Sequence, residues 1–106
     1  MSVLIREKES GTVLAEAEAL GDKVIQYDGN LYFDQAAIVP GVLQVTERTY
    51  TCPYKGTCSW VDYHGPDGKT VNDVAWVYGD PKPGHEAIKE RYGFYAGNRG
   101  PTLREG

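Results

Sequence analysis

The chain has 106 residues, of which 41% are hydrophobic, and its 15 acidic and 11 basic residues give a net charge of -4. This length suits one compact core, and a mildly acidic composition without a basic run argues against a nucleic-acid partner. No apolar stretch approaches the roughly 20 residues that span a bilayer, and the first residues lack the apolar core of a signal peptide. We therefore expect a cytoplasmic protein with no membrane partner.

The first half of the chain has the alternation and the turn residues of short β-hairpins. Ser10-Gly11 and Asp28-Gly29-Asn30 are the turn signals, and residues 34–37 suit one helical turn before Pro40. The alanines and glutamates after Leu14 also suit a helical turn, which leaves two interpretations of that segment. The strand-like segments are 3–8, 12–18, 23–27, 31–33 and 42–47.

The second half contains the clearest hairpin, in which residues 57–64 and 69–78 flank a loop of Gly, Pro and Asp. If His64 pairs with Lys69, the side chain of Trp76 lies on the face opposite to Trp60. Two prolines then interrupt the pairing.

After these prolines the apolar spacing predicts a short helix over residues 84–92, and Phe94-Tyr95 suits an edge strand. We expect residues 1–96 to form a single mainly-β domain and residues 97–106 to form a polar, flexible tail.

The segment from Cys52 to Cys58 concentrates reactive side chains around a turn. Pro53 fixes one backbone angle and Gly56 tolerates a positive one, so the chain reverses and brings Cys52 near Lys55. A neighbouring ammonium group favours the thiolate, which makes Cys52 a catalytic candidate. The alternative is that Cys52 is a small apolar residue at the end of a strand, and two cysteines in the cytoplasm do not predict a disulfide.

The sequence contains no complete zinc-binding or phosphate-loop motif. Cys52 and Cys58, together with two distant histidines, lack the paired spacing of a zinc site, so we expect no metal and no cofactor. The Gly-Lys-Thr at 68–70 resembles the end of a phosphate loop, but Tyr63 occupies the position of the first glycine of that motif.

The aromatic residues have two interpretations. Tryptophan and tyrosine rings line many ligand pockets, and Lys55 with the hydroxyl groups of Thr51 and Thr57 would supply polar contacts there. The same rings also fill the cores of small β domains, because aromatic residues are favoured in strands.

The sequence resembles domain-of-unknown-function family 427 in the order and spacing of three segments, 28–33, 51–56 and 73–78, and of the predicted helix followed by Gly93-Phe94-Tyr95. The resemblance implies a compact fold of coiled β-sheets similar to the β-tent group, which includes methionine sulfoxide reductase B. That family also carries a nucleotidyltransferase label, although this chain has no closely spaced acidic residues for the magnesium of phosphoryl transfer. With Cys52 as the catalytic candidate, the ligand-binding positions implied are Asn30, Tyr32, Thr51, Lys55, Gly56, Asp73, Trp76 and Tyr78.

The leading hypothesis for function is therefore a small domain that binds an unidentified small polar or anionic ligand in a partly aromatic pocket. A second hypothesis is a thiol-dependent enzyme or redox protein that uses Cys52. A third is a structural or interaction module that self-associates as a homodimer through an aromatic surface.

Overall fold

The structure, a computed structural model, describes residues 2–95 and 100–106, and these residues form nine β-strands. The strands are β1 (Ser2–Glu7), β2 (Val13–Glu18), β3 (Val24–Tyr27), β4 (Asn30–Phe33), β5 (Leu43–Cys52), β6 (Gly56–His64), β7 (Thr70–Val77), β8 (Tyr92–Tyr95) and β9 (Thr102–Glu105). They form an antiparallel three-stranded sheet in the order β2-β1-β9 and an antiparallel six-stranded sheet in the order β3-β4-β8-β7-β6-β5. The mainly-β prediction is confirmed.

The larger apolar cluster joins the two sheets. The alternation of β1 buries Val3 and Ile5, and these side chains belong to one cluster with Val61, Phe33 and Phe94 of the six-stranded sheet. The rings of Phe33 and Phe94 meet edge to face with their centroids 5.7 Å apart. Burial of these side chains is the main force that holds the sheets together.

The helix predicted for residues 84–92 is wrong. Only Glu86–Ile88 form a short 3-10 turn, and Glu90 then adopts a φ of 60° before β8 begins. The N–H of Glu90 donates to the carbonyl of Tyr78 at 2.9 Å, so this backbone bonds across to the preceding strand segment instead of along a helix. Gln35–Ala37 form a second 3-10 turn, and no described helix has the length or the apolarity to cross a membrane.

The C-terminal segment is also different from the expected tail. Thr102–Glu105 form β9, which pairs with the second edge of β1, and the side chain of Thr102 is fully buried. Arg6 and Glu105 add an ion pair of 2.8 Å between these strands. The strand forms because β1 offers an unpaired row of backbone groups. Residues 97–99 of the predicted tail lie outside the described residues.

The register of the β6–β7 hairpin differs from the predicted one by a residue. His64 pairs with Thr70, and an irregularity between Val61 and Tyr63 then shifts the pairing again. At this bulge Asp73 has a φ of 60°, in the left-handed region. The one-residue difference puts Trp60 and Trp76 on the same face of the sheet, and the shift at the bulge makes them direct partners, so the predicted separation of the two tryptophans is wrong.

On this face Trp76 lies over Gly93, its neighbour on β8. A Cβ atom at Gly93 would lie 2.6 Å from Cε2 of Trp76 and 2.8 Å from Cε2 of Tyr32, so no larger residue fits beneath the two rings. The indole N–H of Trp76 donates to the Tyr32 hydroxyl at 3.1 Å. Gly93 therefore allows the contact that fixes Trp76.

We predict that Gly93→Ala lowers the free energy of unfolding by about 1–3 kcal/mol or more, because the added methyl group overpacks two fixed rings. Gly79→Ala is the matched control, since open space surrounds its Cβ position. Urea denaturation of both variants measures the difference. Equal stabilities would show that the Trp76 contact does not depend on Gly93.

Candidate functional site

The aromatic face of the six-stranded sheet contains a cavity of about 180 Å³, which we call the aromatic pocket. Its described lining residues come from β4, β5, β6, β7, β8 and the turns beside them. They are Asn30, Tyr50, Lys55, Cys58, Trp60, Trp76, Tyr78 and Tyr95.

Cross-strand pairing brings these side chains together. Tyr50 pairs with Cys58 across β5 and β6, Trp60 pairs with Trp76 across β6 and β7, and Asn30 pairs with Tyr95 across β4 and β8. Residues directly opposite each other in a sheet place their side chains on one face. The pocket therefore depends on pairing between distant strands.

The rings of the pocket stand at steep angles to one another. Trp60 and Tyr95 are inclined to Trp76 by 80° and 67°, with centroid distances of 6.2 and 5.0 Å. Trp76 is 6% exposed, whereas Tyr50 is 53% exposed. Trp76 thus forms the floor of a hollow that has Tyr50 at its rim.

Lys55 supplies the charge. Of the described residues that line the aromatic pocket, it is the one with a charged side chain at neutral pH. The side chain is 13% exposed, and Nζ lies 2.7 Å from Oδ2 of Asp28, whose own side chain is 63% exposed. Burial favours the neutral amine, but hydrogen bonding to Asp28 and nearby negative groups outweigh it, so the pKa of Lys55 is raised.

Two weakly acidic groups that line the aromatic pocket with Lys55, the Cys58 thiol and the Tyr78 hydroxyl, stay protonated at neutral pH. Burial raises the pKa of the Cys58 thiol, and burial together with Cys58 raises the pKa of Tyr78 well above its ordinary range. Since Nζ of Lys55 lies 6.0 Å from the centroid of the neutral Tyr78 ring, the ring also favours the ammonium charge.

The turn between β5 and β6, residues 53–55, is called the Lys55 turn here. The segment that follows β7 holds this turn in place. The N–H of Lys82 donates to the carbonyl of Lys55 at 2.8 Å, and its ammonium donates to the carbonyl of Pro53 at 2.9 Å. Gly56 lies beneath this segment with a φ of 111°. Lys82 was not among the predicted site residues, because these contacts join positions far apart in the sequence.

The structure brings four of the predicted ligand-binding residues to the pocket wall: Asn30, Lys55, Trp76 and Tyr78. Tyr32 is fully buried in the same aromatic cluster. Thr51 and Gly56 are not among the described lining residues, and the Thr51 hydroxyl instead bonds the Thr57 hydroxyl at 3.0 Å.

The predicted binding positions did not include Tyr50, Cys58, Trp60 or Tyr95, which also line the pocket. Strand register places all four at the pocket, and the sequence pattern did not determine that register.

Cys52, the catalytic candidate, is half-buried and lies at the edge of the aromatic cluster, outside the described lining of the pocket. Its sulfur accepts the backbone N–H groups of Lys55 and Tyr54, and these contacts lower the pKa of the thiol. The same contacts also stabilise the turn. Its role in catalysis stays a prediction.

Asp73 belongs to a different cluster, away from the described lining of the aromatic pocket. Arg48 binds both Asp62 and Asp73, with Nη2 2.7 Å from Oδ1 of Asp73, and the N–H of Asp73 donates to Oδ1 of Asp62 at 3.0 Å. These contacts satisfy the polar groups that the bulge exposes. The arrangement assigns Asp73 to the stabilisation of the sheet register.

Within the described part of the chain, no group of three or more His, Cys, Asp or Glu side chains is placed to hold a metal ion. The site is therefore built from aromatic, amide and ammonium groups.

Comparisons with known proteins agree with the fold. A family model described as a domain of unknown function, DUF427, matches residues 5–103, and the chain belongs to this family. The family predicted from the three sequence segments is thus confirmed.

Among solved structures, the crystal structure of the Mis18 'Yippee-like' domain is similar, with a TM-score of 0.72 and 8% sequence identity. The alignment covers 100% of this chain and 97% of that chain, and at this identity it shows a shared fold. The search of curated proteins found no match.

We predict that the two thiols differ in reactivity. Brief iodoacetamide treatment at neutral pH should label Cys52 faster than a free model thiol, because its pKa is lowered, and should leave the buried Cys58 unlabelled. Mass spectrometry of the digested protein assigns each label, and treatment in denaturant is the control in which both react. Preferential labelling of Cys58 in the folded protein would contradict this arrangement.

We also predict an acid-sensitive contribution from Asp62. Burial alone would raise its pKa, but Arg48 and the N–H of Asp73 lower it overall. A lowered folded pKa stabilises the fold above the unfolded pKa, about 4, and this stabilisation is lost as the pH falls through the folded value.

Asp62→Asn should therefore lower the free energy of unfolding by about 1–3 kcal/mol at pH 7 and reduce its decline on acidification. Asp22→Asn is the exposed control. Denaturant titrations at several pH values measure both quantities, and an unchanged pH profile in Asp62→Asn would be the contrary result.

Proposed function

We propose that this protein binds a small molecule that carries an apolar ring and an anionic group. The aromatic pocket holds the ring, and Lys55 holds the anion. The observation that carries the proposal is the placement of Lys55, whose largely buried ammonium lies beside the aromatic wall and has one strongly exposed carboxylate, that of Asp28, as its partner.

The volume of the pocket sets the size of the ring. Engineered apolar cavities of about 150 Å³ take up benzene, so a cavity of about 180 Å³ suits one six-membered ring. The inclined rings of Trp60 and Tyr95 offer edges and faces for stacking. The amide of Asn30 supplies both a donor and an acceptor for a polar substituent.

The sign of the charge favours an anion. An anionic group near Lys55 gains a charge-assisted hydrogen bond in a partly dehydrated site, whereas a cation there meets a like charge. In the structure the Asp28 carboxylate binds the Lys55 ammonium. Because this carboxylate is exposed, it forms hydrogen bonds with water when a ligand displaces it. Ion pairs with such an exposed partner contribute little to stability, so breaking the Asp28 pair for a ligand anion costs little free energy.

Benzoate is a suitable probe because it joins one ring to one carboxylate. We predict that it binds in the aromatic pocket, that Lys55→Met weakens binding about tenfold or more, and that Asp28→Asn strengthens it by releasing Lys55. Titration calorimetry gives the affinities, and NMR shifts of the Trp60 and Trp76 indole N–H groups locate the ligand.

A second lysine–carboxylate pair provides matched controls. Nζ of Lys69 lies 2.8 Å from Oε2 of Glu9, close to the geometry of the Lys55 pair. Lys69→Met and Glu9→Gln remove the same charges away from the pocket and should leave benzoate binding unchanged. Equal losses in Lys69→Met and Lys55→Met, or indole shifts that never move, would refute the proposed site.

Thiol chemistry at Cys52 is the second hypothesis that a specific observation favours, namely the two N–H groups that point at its sulfur. The selective alkylation described above tests its first requirement. Self-association as a homodimer stays a prediction.

A further inference from the structure

A second cavity lies on the other side of Lys55. We call it the turn cavity, and its volume is about 440 Å³. Its described lining residues are Tyr27, Asp28, Tyr54, Lys55 and His85, so it shares Lys55 with the aromatic pocket. The β3–β4 turn, the Lys55 turn and the segment before the 3-10 turn at Glu86–Ile88 converge there.

The Lys55 side chain lies between the two cavities. Its Nζ is 6.0 Å from the ring centroid of Tyr78, which lines the aromatic pocket, and 2.7 Å from Asp28, which lines the turn cavity. A flexible side chain can swing aside, whereas a backbone segment cannot. Together the two volumes fall in the range of sites for whole small molecules, roughly 300–1,000 Å³.

The polar groups of the turn cavity suit an anion with several acceptor oxygens. The Tyr27 hydroxyl bonds Nδ1 of His85, and Tyr54, a residue 75% exposed, lines the same cavity. With the Lys55 ammonium, these side chains offer hydrogen-bond donors around one space. Phosphate has more acceptor oxygens than a carboxylate and a larger charge, so it uses such a set more fully.

We propose that the aromatic pocket and the turn cavity are two subsites of one site, and that its ligand is a ring-bearing monophosphate. The ring lies in the aromatic pocket, and the phosphate lies in the turn cavity against Lys55, Tyr27 and His85. This inference rests on the proposed function and extends it by naming the anion and its place.

Asp28 sets a condition on this binding. Its carboxylate faces the same ammonium and would repel the phosphate, so Asp28 must turn toward solvent when the ligand binds. It lies at the exposed β3–β4 turn, where such a rotation displaces no buried side chain. Asp28→Asn should therefore strengthen phosphate binding.

The test compares ligands that span one cavity or both. Phenyl, benzyl and phenethyl phosphate carry the ring and the phosphate at three separations, while phenol, benzoate and inorganic phosphate are the partial ligands. We expect the best of the three esters to bind at least tenfold more tightly than each partial ligand, because linked groups bind with a high effective concentration. Calorimetry and NMR shifts measure the affinities and the positions.

Variants of the turn cavity then separate this inference from the proposed function. His85→Ala and Tyr27→Phe should weaken the best ester about fivefold or more and leave benzoate unchanged, and His64→Ala is the control at a histidine outside both cavities. Near-UV circular dichroism checks that the variants are folded. Two variants are used because His85 also packs against the Tyr27 ring.

Each outcome decides the matter. If benzoate binds in the aromatic pocket but the esters bind no more tightly, or if neither variant weakens ester binding, the shared site is wrong and the proposed function stands. If inorganic phosphate binds as tightly as the best ester, the turn cavity is a separate anion site and the shared site is again wrong. If neither benzoate nor any ester shifts the indole signals, both proposals fail.

Discussion

The aromatic face depends on one backbone irregularity, the bulge at Asp73. The pairing of β6 with β7 shifts by two residues at this bulge, so Trp60 lies opposite Trp76 rather than opposite Val74. The left-handed φ of Asp73 is unfavourable for a residue with a side chain, and the guanidinium of Arg48 and the carboxylate of Asp62 hold it. A polar cluster outside the pocket thereby determines what the pocket contains.

Some parts of the site are fixed by close contacts, and one part is held by an exchangeable ion pair. The floor of the aromatic pocket is fixed because Trp76 lies over Gly93 and bonds the Tyr32 hydroxyl. The Lys55 turn is fixed because Lys82 donates hydrogen bonds to two of its carbonyl groups. In the described contacts the Lys55 ammonium itself forms its ion pair with an exposed carboxylate, that of Asp28. Rigid walls with one exchangeable ion pair are what a site needs if it is to bind an anion without reorganising its backbone.

The sequence predicted turns that depend on adjacent residues, but it did not predict contacts between residues far apart in the chain. The Asp28-Gly29 turn and the reversal at Pro53 follow from residues that are adjacent in the chain, and the structure has a hairpin at each. The bulge could not be predicted, because it depends on Arg48, which lies on another strand. The helix expected over residues 84–92 failed for the same reason, since a carbonyl outside the segment takes one of its N–H groups. Of the residues that line the aromatic pocket, the sequence singled out those in the three family-like segments and missed those that only the register places there.

The pairing of β9 with β1 has a consequence for how the protein is made. The smaller sheet is built from strands at opposite ends of the chain, so its second ladder cannot close until translation has reached residue 105. The hairpins of the larger sheet have their partners within a few residues and need not wait. Contacts of such wide sequence separation slow folding. Until then the outer edge of β1 keeps a row of unpaired backbone groups, and the four-residue strand β9 completes the sheet.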